Sequence, residues 1–311
     1  MPWYVTFHGG DDPQDRNNIH AYDAAGAHIG KKLDAAGLQD GMRLRELRGF
    51  AFGPDGDLYV ANAWKDQSQI LRFAGAPGPD GRHAFLGVFA AQHRADSGLA
   101  HPFDVQFGPD GHLFVPSQDT DIVARYYGPA ATEGAPGTPM PHPAAVAGLA
   151  GDLPPGTFVP SAKHAEGGLK AVRHAIFGPD GHLYVADRDR NAVNRYDRET
   201  GALLRAFQHD RLAAPVHLLP WPERNMMLVG SRDRGTAIAL DLATGDARDL
   251  LDSGAGLKAP SGLAWGPDGL LYVADRTGRA VLRFDAETGK PRGALVTGLP
   301  DEPEFIGWVN G

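Results

Sequence analysis

The pentapeptide Phe-Gly-Pro-Asp-Gly occurs three times, at Phe52-Gly53-Pro54-Asp55-Gly56, Phe107-Gly108-Pro109-Asp110-Gly111 and Phe177-Gly178-Pro179-Asp180-Gly181. A fourth copy, Trp265-Gly266-Pro267-Asp268-Gly269, differs only in its first residue. Pro presets φ, Asp caps the turn and Gly accepts positive φ, so each copy is a tight turn. Each leads into a β-rich run: Leu58-Tyr59-Val60, Leu113-Phe114-Val115, Leu183-Tyr184-Val185 and Leu271-Tyr272-Val273. A repeat of strand, turn and strand at this spacing restricts the chain to architectures built from one stacked unit. The 41 glycines and 25 prolines supply the punctuation that many short strands need.

The unit extends further. A degenerate copy begins at Trp221, where Trp221-Pro222-Glu223-Arg224-Asn225 replaces the turn before Met227-Leu228-Val229. Third strands follow in register, among them Ile70-Leu71-Arg72-Phe73, Val193-Asn194-Arg195-Tyr196 and Val281-Leu282-Arg283-Phe284. Fourth strands such as Leu203-Leu204-Arg205-Ala206-Phe207 complete five units. The ends supply a sixth: Trp3-Tyr4-Val5-Thr6 matches a second strand, and Glu304-Phe305-Ile306-Gly307-Trp308 is a first strand without a unit of its own. Joining them closes a ring and removes exposed sheet edges. The expected fold is an all-β, single-domain, six-bladed β-propeller of four-stranded blades. The approximate blades are 300–311 with 1–36, then 46–90, 100–168, 169–209, 213–250 and 257–297. Residues 127–168 break the period and read as a long Gly/Ala/Pro-rich loop around one strand, Thr157-Phe158-Val159.

The formal charge of −8 argues against nucleic acid as a partner, and the absence of cysteine excludes disulfides and thiolate chemistry. No apolar run approaches the ~20 residues of a membrane span. Strand-like sequence from Trp3 onward leads to the expectation of a cytoplasmic protein without a secretory signal.

The pattern resembles the NHL-repeat family across essentially the whole chain. Pro260-Ser261-Gly262-Leu263-Ala264, Leu271-Tyr272-Val273-Ala274-Asp275 and Phe284-Asp285 carry the resemblance most closely. It implies the propeller fold and leaves function open, because such propellers host enzymes, ligand binders and protein scaffolds.

Aligning the units on their turns places the openings of the six first strands around one mouth of the channel. They are Arg48-Gly49, Phe103-Asp104, Arg173-His174, Val216-His217, Ser261-Gly262 and Glu304-Phe305, with a one-residue gap needed at Val216-His217. The repeat prefers a small residue second, as in Gly49 and Gly262, yet three consecutive blades carry Asp104, His174 and His217. A carboxylate and two imidazoles on one axis suit a divalent ion, Zn²⁺ or Fe²⁺ first, with a structural Ca²⁺ as a secondary expectation. The same trio could instead be a hydrogen-bonded polar plug. His8, His93, His101, His164 and His209 fall in loops of this face with Arg48, Arg173, Arg188, Arg232 and Arg276. Asp187 and Asp275 match the repeat's Ala-Asp and read as structural caps.

Among NHL-like propellers, the resemblance to peptidyl-α-hydroxyglycine α-amidating lyases implies a channel metal held by histidines. Those ligands come from separated blades, whereas His174 and His217 here are on adjacent ones. The expectation is a metal-dependent lyase, cyclase or hydrolase acting on a small, carboxylate-bearing molecule. Asp104, His174 and His217 hold the metal, His101 or His8 moves protons, and Arg48 or Arg173 orients the substrate. Glu304 stands where strictosidine-synthase-like propellers carry a single Glu, in a sequence context that otherwise differs. A non-catalytic propeller that binds a ligand or a partner protein on its top face is the alternative.

Overall fold

The computed structural model describes residues 1–9, 16–39, 41–64, 67–91, 98–149, 153–251, 254 and 256–309. Among these residues, twenty-four strands form six four-stranded antiparallel sheets. Blade 1 contains β1 (Trp3–Phe7), β2 (His20–Tyr22) and β3 (His28–Lys31). Blade 2 contains β4 (Leu47–Phe52), β5 (Leu58–Asn62), β6 (Gln69–Phe73) and β7 (Phe85–Ala91), and blade 3 contains β8 (Gln106–Phe107), β9 (Leu113–Ser117), β10 (Ile122–Tyr126) and β11 (Thr157–Val159). Blade 4 runs through β12 (Val172–Phe177), β13 (Leu183–Asp187), β14 (Ala192–Tyr196) and β15 (Leu203–Gln208). Blade 5 has β16 (Pro215–Trp221), β17 (Met226–Ser231), β18 (Thr236–Asp241) and β19 (Ala247–Asp249); blade 6 has β20 (Pro260–Trp265), β21 (Leu271–Asp275), β22 (Ala280–Phe284) and β23 (Pro291–Thr297). The last strand, β24 (Pro303–Trp308), returns to blade 1 and pairs with β1 through Trp3↔Trp308, Tyr4↔Gly307 and Val5↔Ile306. The six-bladed propeller and its closure are therefore as the sequence led us to expect.

The repeated residues act locally. Gly56, Gly111, Gly181 and Gly269 sit at φ +82°, +79°, +74° and +75°, a region that favours glycine. The turn aspartate does two further jobs. Asp55, Asp180 and Asp268 accept the hydroxyls of Tyr59, Tyr184 and Tyr272, each at 2.9 Å. Asp55 and Asp180 also pair with Arg72 and Arg195 from the third strand at 2.7 Å. The caps behave as expected: Asp187 accepts the Ala171 amide at 3.1 Å, and Asp275 accepts the Ala259 amide at 2.9 Å. Each cap ties the end of a second strand to the chain entering the first, which fixes the channel-mouth residues.

The apolar core lies between the blades. Trp3, Val5 and Phe7 of blade 1 pack with Tyr272, Ala274 and Val281 of blade 6, for example, and comparable clusters fill the other interfaces.

Blade 3 is the irregular one. Its innermost strand is reduced to β8, preceded by an isolated bridge between Pro102 and Ser117. The insertion forms the expected strand β11 and also a short helix, α1 (Ala144–Ala147), which the composition did not reveal. It lies against the turn side of the propeller: the Gly128 amide donates to His112 Nδ1, and the Ala145 amide donates to the Thr200 carbonyl. Among the described residues no helix is long and apolar enough to cross a membrane.

Candidate active site

The openings of the innermost strands converge as aligned, and a break in register aims them. Pairing shifts between Leu47 and Phe50, between Val172 and Ala175, and between Pro260 and Leu263. The residues left out of the ladder are Arg48-Gly49, Arg173-His174 and Ser261-Gly262. Such bulges re-aim side chains next to functional sites. The offset at Val216-His217 lies in the hairpin, where β16 and β17 run to 7 and 6 residues against 6 and 5 in β12 and β13.

Asp104, His174 and His217 do meet. His174 Nε2 lies 2.8 Å from Asp104 Oδ2, and the His174 and His217 rings stack with centroids 4.0 Å apart. All three are buried. Gly49 makes room for the carboxylate, since a Cβ there would fall 1.8 Å from Asp104 Oδ1. The Leu218 amide donates to His174 Nδ1 and the Leu263 amide to His217 Nδ1, both at 3.3 Å. Accepting at Nδ1 places the ring proton of each neutral imidazole on Nε2, so His174 donates to Asp104. Gln106 Nε2 donates to the same oxygen at 2.8 Å. Burial, helped by His174, pushes His217 well below its ordinary value of 6.5, so it is neutral.

The arrangement is a polar plug. Closed in this way it is not set to hold a metal ion: with both Nδ1 atoms accepting backbone amides, the neutral rings carry their protons on Nε2, and Asp104 Oδ2 is taken up by His174 and Gln106. Among the described residues no group of three or more His, Asp or Glu side chains is placed to hold one.

Above the plug lies a cavity of about 270 Å³, just under the roughly 300–1,000 Å³ of small-molecule sites. His8, His101, Arg48, Arg173 and Glu304, the five residues expected to do chemistry, all line it. Phe103 lines it, and the Phe305 ring lies against both Phe103 and His217 of the plug, with centroids 5.4 and 5.3 Å away. His101 therefore belongs to the cavity rather than to the Asp104 cluster. His164 and His209 do not line it, and His93 lies outside the described residues. None of the described residues of the insertion lines it.

One wall is an ion network. Arg48, buried, pairs with Glu46 and reaches Glu304 Oε1 at 2.8 Å. Arg276 lies 3.3 Å from the same Glu304 oxygen and donates to Glu302 at 2.6 Å. Arg48 is thus committed to carboxylates and is not the free guanidinium that substrate orientation requires. His101 stands between two carboxylates, with Nε2 3.4 Å from Glu46 and Nδ1 3.6 Å from Asp119. His8 Nε2 lies 3.9 Å from Glu46. Burial pushes the Glu46 carboxyl up, but His101, Arg48 and His8 outweigh it and hold the group below its ordinary value of 4.5. Glu46 is ionised at neutral pH. Among the described residues, the close contacts of His101 Nε2, Glu304 Oε1 and Arg48 Nη1 are ion pairs without hydrogen-bond geometry, and Arg48 Nε likewise makes no hydrogen bond.

The opposite wall is cationic. Arg173 is buried, donates to its neighbour's carbonyl at Val172 and lies over the Phe103 ring at 5.9 Å. Arg232 is exposed at the rim. Among the described residues, neither has a carboxylate within 4.0 Å. Burial, then repulsion from Arg188, pushes Arg173 down to about 10, so it stays cationic at neutral pH. Two guanidiniums in a cleft without a carboxylate partner among the described residues form a site for an anion.

Glu46 and Gln118 were not found from the sequence. One step further upstream in the alignment would have found Glu46, which precedes its opening pair by two residues as His101 does. Both take left-handed backbone, at φ +49° and +53°, unusual for residues other than glycine.

No family model matches the chain, and no curated protein matches it. Solved structures do. A streptogramin B lyase is 14% identical with a TM-score of 0.63, covering 98% of this chain and 87% of that one. A chain of a nidogen/laminin complex is 14% identical with a TM-score of 0.65, covering 98% and 97%. An inactive variant of virginiamycin B lyase from Staphylococcus aureus, crystallised with quinupristin, is 12% identical with a TM-score of 0.60, covering 98% and 89%. This likeness shows the fold. At such identity it assigns neither family nor activity, and the NHL resemblance rests on the repeat alone.

Proposed function

We propose that the propeller is a lyase that takes a small carboxylate-bearing molecule into the channel mouth. The observation that carries this reading is the pairing of opposites across one cavity: Arg173 and Arg232, which have no carboxylate within 4.0 Å among the described residues, face a His101–Glu46 pair. Arg173 and Arg232 bind the carboxylate. His101 takes the proton from the adjacent carbon, and ionised Glu46 offers the counter-charge to the imidazolium that forms. As that C–H bond breaks, a C=C bond forms, and the leaving group on the next carbon departs with its electron pair. His8, at the rim, returns a proton to it. The lyases among the structural neighbours make elimination compatible with the fold, and the NHL-type, amidating-lyase-like resemblance points to the same end of the channel.

The test is proton exchange in D₂O, followed by NMR, on a panel of small carboxylates carrying a hydroxyl, amino or thioether group two carbons from the acid. Wild-type protein should exchange the proton and release the leaving group. His101→Gln should bind without exchange, and Arg173→Met should lose binding. Absence of binding and exchange across the panel would overturn the reading.

A channel metal at Asp104, His174 and His217 is a separate reading with its own measurement, because it requires the Asp104–His174 hydrogen bond to open. About one equivalent of Zn or Fe in wild-type protein, lost in Asp104→Ala, would replace the plug with a metal centre. A binding propeller is favoured by one observation, the mutual pairing of Arg48, Glu46, Glu304 and Arg276, which could serve as a rigid docking floor. Carboxylate binding without exchange would select it.

A further inference from the structure

The cavity does not end at Arg232. The same residue forms one wall of an adjoining open groove over blades 4 and 5, of about 750 Å³, lined also by Lys170, Arg188, Asn191, Asp189 and Asp233. The repeat builds this geometry: Arg188 and Arg232 are each the first residue after the second strand of their blade, as Arg276 is in blade 6. Arg276 is neutralised by Glu302 and Glu304, whereas Arg232 and Lys170 have no carboxylate within 4.0 Å among the described residues. Arg188 Nε is held by Asp189 at 2.7 Å, which fixes its guanidinium at the groove. Both Arg188 and Arg232 repel the buried Arg173, while Asp189 and Asp121 pull the other way. The groove's three cations, Lys170, Arg188 and Arg232, outnumber its two carboxylates, Asp189 and Asp233, and an anion spanning them supplies the missing counter-charge.

We infer that the groove is a second anion subsite, so that the substrate carries two acidic groups. One carboxylate sits against Arg173 inside the mouth, and the second group, a carboxylate or a phosphate, lies over Lys170 and Arg188. Arg232 bridges the two. This rests on the reading of the cavity as a carboxylate site and adds the length and charge of the ligand.

Titration calorimetry at constant ionic strength tests it, with linear dicarboxylates of increasing length and ω-phosphono-carboxylates, each against its monocarboxylate. One length of dianion should bind wild-type protein at least tenfold more tightly than the monoanion. The double variant Lys170→Met, Arg188→Met should lose that advantage and leave the monoanion unchanged. Both side chains are at least partly exposed, so the fold is retained; thermal unfolding of the variant verifies it. A preference for the phosphonate or for the dicarboxylate supports the subsite either way and tells which group it takes. Equal binding of mono- and dianions, or an advantage that survives in the variant, overturns the second subsite and leaves the lyase reading intact. Binding of neither overturns both.

Discussion

His101 shows what a single residue contributes and how far a sequence discloses it. Its blade position was legible from the turn repeat, because turn chemistry is local and strand lengths are nearly constant. Its partner Glu46 was not singled out: it holds the matching place two residues before its own opening pair and takes the same left-handed backbone step, but lacks the imidazole that sets His101 apart. The plug shows a different limit. Spacing revealed that Asp104, His174 and His217 converge, but whether imidazole nitrogens face a metal or a backbone amide depends on register shifts of a single residue. Two substitutions separate these roles. Glu46→Gln keeps the side chain's shape and removes the charge opposite His101, so turnover should fall about 10²-fold or more while carboxylate binding through Arg173 changes little. Steady-state kinetics beside calorimetry measure both. Gly49→Ala would drive a Cβ to 2.8 Å from the Asp104 Cα as well as into its carboxylate. Since backbone must yield, it should destabilise the fold by about 1–3 kcal/mol in denaturant titration.

Buried His83 supplies a pH dependence at the same scale. Its Nε2 lies 2.8 Å from the Tyr4 hydroxyl, and its Nδ1 donates to the Ala74 carbonyl at 2.7 Å. Burial, with a smaller push from Lys32, lowers its pKa below the ordinary 6.5 despite backbone hydrogen bonds that act the other way. The unfolded chain therefore binds a proton that the folded one refuses. Stability should fall as pH drops below about 6.5 and go on falling until the folded value is reached. His217 acts in the same direction. Thermal unfolding across pH 5–8 should show a shallower acid limb in His83→Gln than in the wild type.

At the scale of the element, the second strand and its turn form a self-contained device, which is why the fold could be read. Tyr, Asp and Arg lock three points of one blade with bonds of 2.7–2.9 Å in blades 2 and 4. Blade 3 carries Phe114 at the tyrosine position, and there the device is incomplete. Arg125, at the site matching Arg72 and Arg195, leaves its buried Nε without a hydrogen-bond partner and lies over the Phe114 ring. The ring takes the same place as its counterparts: a Cβ on Gly108 would meet Phe114 Cε2 at 2.8 Å, as one on Gly53 would meet Tyr59 Cε2 at 2.6 Å. Phe114→Tyr should therefore bring a hydroxyl within reach of Asp110. A gain of about 0.5–1.5 kcal/mol is expected by denaturant titration, the worth of one hydrogen bond. The insertion was legible as an interruption, while α1 was not, because four residues of Ala and Val carry no helical period of their own.

For the molecule as a whole, the decisive contact is the one between its two ends. Pairing of β1 with β24 completes blade 1, and the seam is reinforced by Trp3 against Trp308, with ring centroids 5.1 Å apart, and by the Phe305 amide donating to Thr6 Oγ1 at 3.2 Å. Ser261 of blade 6 donates to the Pro303 carbonyl at 2.6 Å, so the seam is tied to the next blade as well. The same strand delivers Glu304 and Phe305 to the channel mouth, and closure and site are therefore one structural event. Ending the chain at residue 300 would leave β1 as an exposed apolar edge, with buried Trp3, Val5 and Phe7 losing one flank. A ring transmits that loss to both neighbouring interfaces, so the truncated protein should unfold at a clearly lower temperature and self-associate in size-exclusion chromatography. A synthetic peptide of residues 300–311 added in excess should restore both the monomer and carboxylate binding, since it restores the edge and Glu304 together. A truncated chain that stays monomeric with its unfolding temperature unchanged would mean that the blades stand alone and that the ring is not the cooperative unit.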